Sequence, residues 1–354
     1  MTRFLLLLYN EVKLFRTTAL IHLVAILQPA VLYLLMTTIL VHPTFDLNVN
    51  RPGSDLEASL LAALEQVGSP IGLPYVNPIL VDWDGGPVVR QVITVEEREG
   101  VPTAVQYYGP IDSNLVKNFR NRLTAAALRL WDAELGNRAV NVEEHAWLPR
   151  DVSYNVYFGL ALLPMAAFLA AALTGAALTA QEFEFRTMVE YRLAPAAPGL
   201  ILGARLTRLV LSALVAAGIL LVAVGLVTHA WPRELWLVAL ILLPLAVIAG
   251  CLGIVAGLVF RKSIPAFLVA LVATFAGWIL GSAFGLAASF GTGYQRISRL
   301  TPFTHAVELL FPRYFGATVG SPVVSAATLV LMAGGMIALA ALAYRLRVVR
   351  QEGV

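Results

Sequence analysis

The chain has 354 residues, 58% of them hydrophobic and only 13% charged, with a formal net charge of +3 and a mean hydropathy of +0.76. Soluble domains carry about 25% charged residues, so this composition excludes a soluble enzyme and, despite a sequence pI of 9.1, a nucleic-acid binder. The single cysteine, Cys251, excludes a disulfide-stapled secreted domain.

The charge is segregated rather than scarce. Six stretches of 20 to 27 residues, at 18–41, 157–180, 209–228, 235–260, 264–290 and 323–344, contain no Asp, Glu, Lys or Arg. Each can cross about 30 Å of hydrocarbon as a helix. Continuous apolar runs are not the short alternating strands of a β-barrel. The expected fold class is a polytopic α-helical membrane protein with six transmembrane helices.

Residues 2–16 precede the first run and read as an interfacial helix. Phe4, Leu8, Val12 and Phe15 cluster on one side of a helical wheel and Arg3, Asn10 and Lys13 on the other, with Leu6 and Glu11 as misfits. The run 18–41 exceeds a signal h-region and no small-residue cleavage site follows it, so it is taken as the first span. His22 and Gln28 are its polar outliers, and Gln28 reads as an interhelical hydrogen-bonding residue. Residues 42–156 are numerous enough for a small domain. There Ser54-Asp-Leu-Glu57 is a capping box opening a helix that runs to about residue 67. Strand-prone runs around 75–81, 88–95 and 103–108 are separated by turn residues such as Asp84-Gly85-Gly86. A second helix over 113–135 places Leu115, Phe119, Leu123, Ala127 and Leu130 on one face. The expectation is a mixed α/β domain.

The basic residues of the short connections orient the chain. Arg3, Lys13 and Arg16, then Arg186, Arg192, Arg205 and Arg208, then Arg261 and Lys262, then Arg345, Arg347 and Arg350 all fall on one side if the spans alternate. That side carries twelve basic and five acidic residues, a balance of +7; the other carries thirteen and seventeen, a balance of −4. Both termini are therefore expected in the cytoplasm and the domain at 42–156 outside it.

No phosphate loop, H-E-x-x-H or G-x-S-x-G motif occurs, and the histidines at 22, 42, 145, 229 and 305 have no metal-ligand spacing. No cofactor or metal is expected in this chain, and an ion-coupled secondary transporter is disfavoured. The most organised connection is QEFEFRTMVEYRLAPAAP, residues 181–198. Over 181–194 it reads as a short amphipathic helix in which Glu182, Arg186 and Glu190 form an i, i+4, i+8 charged stripe beside Phe185, Met188 and Val189, and Pro195 ends it. Such a helix can rest in the lipid interface or dock in a groove of a soluble partner. In the fifth run Gly277, Gly281 and Gly285 form two overlapping GxxxG steps, suited either to packing within one subunit or to close approach of another helix. Residues 295–311, with Arg296, Arg299 and Glu308, read as an outer interfacial or re-entrant helix started or bent by Pro302.

One span, a large outer domain, a second span, and then Glu182, Glu184, Thr187 and Pro195 in an E-x-E-x-G-T-x-E-x-L-x-x-x-P arrangement resemble the ABC-2 type transporter permeases. Arg186 stands where that family usually has glycine, and Glu190 is one position on from the usual later glutamate. Leu202-Gly203-Ala204-Arg205 is similar to the family's entry into the third span, and the segment 301–310, with Pro302, His305 and Glu308, to its link between the fifth and sixth. The resemblance implies a permease subunit of an ATP-binding-cassette exporter in the cell membrane. It implies two cytosolic ATPase subunits as partners, which bind the ATP and magnesium, and a second permease copy or a related one. Segment 181–194, through Glu182, Glu184, Arg186, Thr187 and Glu190, would be the coupling helix, residues 1–17 the connecting helix and 345–354 a cytoplasmic tail. Within a five-helix region at 157–344, the second and fifth spans would line the passage for an amphiphilic, lipid-like or drug-like substrate. The competing reading is a non-transporting envelope scaffold or receptor of the same architecture.

Overall fold

The computed structural model of the chain describes residues 2–17, 19–40, 45–51, 55–68, 76–85, 91–98, 101–108, 121–130, 154–189, 197–286, 292–316 and 318–349. The chain divides into two compact units, Met1–Leu40 with Val152–Val354, and Val41–Asp151.

The first unit is helical. It contains α1 (Thr2–Thr17), α2 (Ala19–Leu40), α5 (Tyr154–Glu184), α6 (Pro198–Thr228), α7 (Leu235–Phe260), α8 (Ser263–Leu280), α9 (Thr292–Ser298), α10 (Pro302–Phe315) and α11 (Pro322–Tyr344), which ends in one π-helical turn, Arg345–Val349. Among the described residues α2, α5, α6, α7, α8 and α11 are long and apolar enough to cross a membrane. Helices satisfy their own backbone groups, which hydrocarbon cannot do for them. The outward faces of α2 (Leu20, Leu27, Val31) and α11 (Val323, Val330, Leu331) are exposed and apolar, as a lipid boundary allows.

The core of this unit is α5, surrounded by α2, α6, α7, α8 and α10. Every residue from 157 to 180 is buried. Its alanine-rich sequence makes this possible, because small side chains let neighbouring backbones close in. The tightest approach is to α7. A Cβ at Gly257 would lie 2.6 Å from Thr179 Cβ and 2.8 Å from the Ala176 carbonyl oxygen, so only glycine fits there. Wrapped on all sides by its own chain, the second span keeps no open face for a passage between two subunits, contrary to the expectation for it. The fifth span does keep one, along Ile264, Leu268, Val272 and Ile279 of α8.

Two spans have other bounds than their charge-free runs. α6 begins at Pro198, eleven residues before 209, and includes Arg205 and Arg208. α8 stops at Leu280, where Gly281 is the C-cap, so Gly277, Gly281 and Gly285 do not share one helix face.

The second unit holds β1 (Phe45–Asn50), α3 (Asp55–Glu65), β2 (Val76–Val81), β3 (Gln91–Arg98), β4 (Val101–Tyr108) and α4 (residues 121–130). The strands form one sheet in the order β2-β1-β3-β4. β1 pairs in parallel with β2, Leu47 opposite Pro78, and with β3; β3 and β4 are antiparallel. Leu47, Val49, Val76 and Ile93 from the sheet meet Leu60, Ala63 and Leu64 of α3 and Ala126 of α4 in a small core. Sequence reading missed β1, although Leu47 and Val49 alternate with Asp46, Asn48 and Asn50. On α4 the buried alanine is Ala126, and Ala127 is exposed; Leu115 and Phe119, like Ser54 of the capping box, lie outside the described residues.

Candidate functional site

The residues of the resemblance motif sit at the C-terminal end of α5. Of the helix expected over 181–194, residues 181–184 belong to α5, which runs unbroken from the span through Glu184; residues 185–187 then turn, 188–189 are helical again, and 190–194 lie outside the described residues. The Phe185 amide donates to the Gln181 carbonyl at 2.8 Å, and the Arg186 amide to Phe183 at 3.2 Å. Arg186 closes the turn with φ at 61°. A side chain in this left-handed region crowds the following carbonyl, which explains why glycine suits the position. The break also dissolves the charged stripe, since Glu182 and Arg186 are not on successive turns of one helix; Glu190 and Pro195 lie outside the described residues. The apolar patch divides likewise. Met188 is buried, whereas Phe185 and Val189 are 71% and 51% exposed, flanking the exposed Arg186.

Glu182 is largely turned away from water while Glu184 is exposed, and each ties α5 to another helix. Glu182 Oε1 pairs with Arg205 Nη2 of α6. Arg205 Nη1 also donates to Thr179 Oγ1 at 3.5 Å, and its Nε lies 3.7 Å from Glu11 Oε1 of α1. Glu11 Oε2 in turn lies 2.6 Å from Arg208 Nη1, which also donates to the Glu11 carbonyl at 3.3 Å. Arg205 and Arg208 are among the largest fully buried side chains, and Glu11 is buried with them. Two guanidiniums and two carboxylates make the quartet neutral, the condition under which buried charge is tolerated. Spacing of i, i+3 puts both arginines on one face of α6. Glu184 reaches α8 instead. Its Oε1 accepts the Ser263 amide at 2.8 Å and its Oε2 bonds the Ser263 hydroxyl, so a carboxylate from α5 caps the positive end of the fifth span. Beside it the Arg261 guanidinium lies 5.4 Å above the Phe183 ring, a cation–π contact. Thr187 Oγ1 donates to the Glu182 carbonyl at 3.5 Å.

Sequence reasoning grouped Arg205 and Arg208 as linker charges and treated Glu11 as a misfit. The inward face of α1 carries Phe4, Leu7, Leu8 and Glu11, while Leu5, Leu6, Tyr9 and Val12 point away. A lone carboxylate on an otherwise apolar i, i+3, i+4, i+7 arc was the available signal.

At the other end of α5, Tyr157 donates to the Ser282 carbonyl at 2.8 Å and Trp278 Nε1 to the Ala161 carbonyl at 2.9 Å. Gly277 and Gly281 pack against Phe303 of the same chain; a Cβ at Gly277 would lie 2.8 Å from its ring. Pro302 stands at the start of α10, preceded by Thr301 as N-cap. His305 and Glu308 point inward from α10 toward Ser325 of α11.

A helical unit in which six of the described helices are long and apolar enough to cross a membrane defines a multi-pass membrane protein. Residues 91–344, well over half of the chain, match the ABC-2 family transporter proteins, and the chain belongs to that family. No curated protein matches it significantly. It is thus a membrane subunit of a transporter.

Proposed function

We propose that this chain is the permease subunit of an ABC exporter that moves an amphiphilic substrate out of the cytoplasm, driven by ATP hydrolysed with magnesium in a separate ATPase subunit. The observation that carries this reading is the turn at 185–189, where exposed Phe185, Arg186 and Val189 stand on a helix end held to α6 by Glu182 and to α8 by Glu184. An exposed apolar and cationic knob on a braced helix end suits a partner's groove, because force applied there reaches two further spans. In this reading the knob, α1 and both termini are cytoplasmic, and the unit Val41–Asp151 is extracytoplasmic. The charge balance of the connections supports that orientation. A second permease copy or a related chain completes the passage, for which the open face of α8 is available and the enclosed α5 is not.

Arg186→Glu tests the reading. Arg186 is exposed and makes no ion pair among the described residues, so the variant should insert and accumulate normally. Charge reversal at a docked surface costs several kcal/mol, so recovery of a co-expressed ATPase subunit with the permease should fall by about tenfold or more, and ATP-dependent export with it. Full ATPase recovery and undiminished export would overturn the docking role of this turn.

A further inference from the structure

The short helix α9 leaves one face uncovered, and that face is part cationic and part apolar. Arg299, Arg296, Leu300 and Ile297 follow one another around it, because the Arg299 amide still donates to the Gln295 carbonyl at 3.1 Å and carries the turn past Ser298. Both arginines are exposed, and Ile297 and Leu300 are 51% and 76% exposed. The base beneath them is fixed. Tyr294 donates to the Ile279 carbonyl at 2.9 Å, which seats α9 on the end of α8. The Ser298 carbonyl accepts the Thr301 and Thr304 hydroxyls at 2.8 and 2.7 Å, and the Arg299 carbonyl accepts His305 Nε2 at 3.0 Å. The exposed apolar face of α8 therefore runs, through Ile279 and Leu280, up to the helix that carries the arginines.

Topology does not ask for these charges. In the proposed orientation the short outer connections, 229–234 and 281–321, carry Arg233, Arg296, Arg299 and Arg313 against Glu234 and Glu308, a balance of +2. Basic residues are normally kept inside, and the outer side as a whole stands at −4. Both carboxylates are already engaged, Glu234 by Arg313 and Glu308 by Ser325. Arg296 and Arg299 make no ion pair among the described residues. Two guanidiniums one helical turn apart, about 5–6 Å at Cβ, offer more donors than a single carboxylate can use, whereas the several oxygens of a phosphate can accept from both forks. Isoleucine and leucine beside them suit hydrocarbon, and arginine suits this border because its stem lies on apolar surface while its head reaches polar groups. We propose that Arg296 and Arg299 bind the phosphate head group of an anionic lipid whose chains lie along the α8 face, which makes the exported substrate a phosphate-bearing amphiphile. The substrate assignment rests on the export reading, whereas the binding itself does not, so the two can fail separately.

Equilibrium binding to the purified full-length chain in detergent tests the site, with phosphatidylglycerol and phosphatidylcholine of identical short acyl chains as probes. The wild type should prefer the anionic lipid by about tenfold or more, since each arginine near a lipid surface contributes about 1 kcal/mol. Arg296→Gln/Arg299→Gln should bring that preference to within about twofold. The control Arg345→Gln/Arg347→Gln removes the same charge from exposed positions beyond the C-terminal end of α11 and should leave the preference intact. Equal wild-type binding of the two lipids would overturn the proposal, and so would an equal loss in the control, which would reduce the effect to net charge. Inorganic phosphate should not displace the lipid; displacement would show a site for a free ion and overturn the lipid assignment. In vesicles holding the permease with its ATPase subunit, a fluorescent phosphatidylglycerol should be moved faster than its choline analogue, and the Arg296→Gln/Arg299→Gln variant should move both alike. Equal movement of the two lipids by the wild type would overturn the substrate assignment. Preferential binding with neither lipid moved would uphold the site and count against the export reading itself.

Discussion

Replacing Glu11 by leucine removes one member of the neutral quartet at nearly constant volume. Arg208 loses its carboxylate at 2.6 Å, and Arg205 loses its second at 3.7 Å, leaving two buried guanidiniums with Glu182 alone. An exposed pair would cost about 0–1 kcal/mol, but removing one partner of a buried pair costs about 3–5 kcal/mol. α1 packs mainly on α6 and only lightly on α2, so the cheapest relief is for α1 to lift away and let water reach Arg208. The loss should therefore appear as undocking of α1, not as unfolding of the spans. Converted, it shifts the docking equilibrium by about two to three and a half powers of ten. Hydrogen exchange in peptides covering Thr2–Thr17 reads that shift directly, with peptides from α5 as the internal control. The double variant Glu11→Leu/Arg208→Met deletes the pair and keeps Arg205 with Glu182. Buried pairs replaced by apolar side chains of similar size are often neutral or stabilising, so exchange in α1 should return to near the wild-type rate. Exchange in Glu11→Leu within about twofold of wild type would refute the premise that buried charge holds α1, since a lost buried pair demands far more.

Two more substitutions follow from the backbone. Arg186→Gly should relieve the left-handed strain at φ 61° and stabilise the isolated permease by about 1 kcal/mol in chemical denaturation, even though it removes the exposed cation; a loss of stability would contradict the backbone account. Gly257→Ala should cost about 1–3 kcal/mol by forcing α7 off Thr179 and the Ala176 carbonyl. Gly334→Ala on α11, with nothing within 4 Å, should stay within about 0.5 kcal/mol in the same chemical denaturation.

The spans were legible wherever charge and lipid contact coincide. The run 235–260 has the bounds of α7, and 323–344 those of α11 to within a residue. Legibility failed at α6 because a composition rule ends a span at a charge, whereas Arg205 and Arg208 are admitted to the helix by partners on α1 and α5. It failed at α8 because an apolar run says nothing of Gly281 turning against Phe303. Of the motif, Glu182 and Glu184 were found, but their partners were not. A spacing of four makes Glu182 and Arg186 look like an ion pair only while the backbone stays helical, and the positive φ of Arg186 cannot be read from the charge pattern. The trio on α10 and α11 was half visible: His305 and Glu308 stood out, whereas Ser325, the hydroxyl that joins them, lies in an unremarkable apolar run.

The quartet also sets an order of assembly. Arg208 lies 197 residues after the carboxylate it holds, and ribosomes add about 5–20 residues per second. At that pace α1 waits roughly 10–40 s between its own synthesis and the arrival of its anchor. Until then Glu11 has no buried counter-charge, and α1 has no reason to leave water or the lipid surface. Seating of the N-terminal helix thus certifies that the third span has been made and placed. A chain halted before residue 205 would present its amphipathic N-terminal helix with neither buried counter-charge for Glu11.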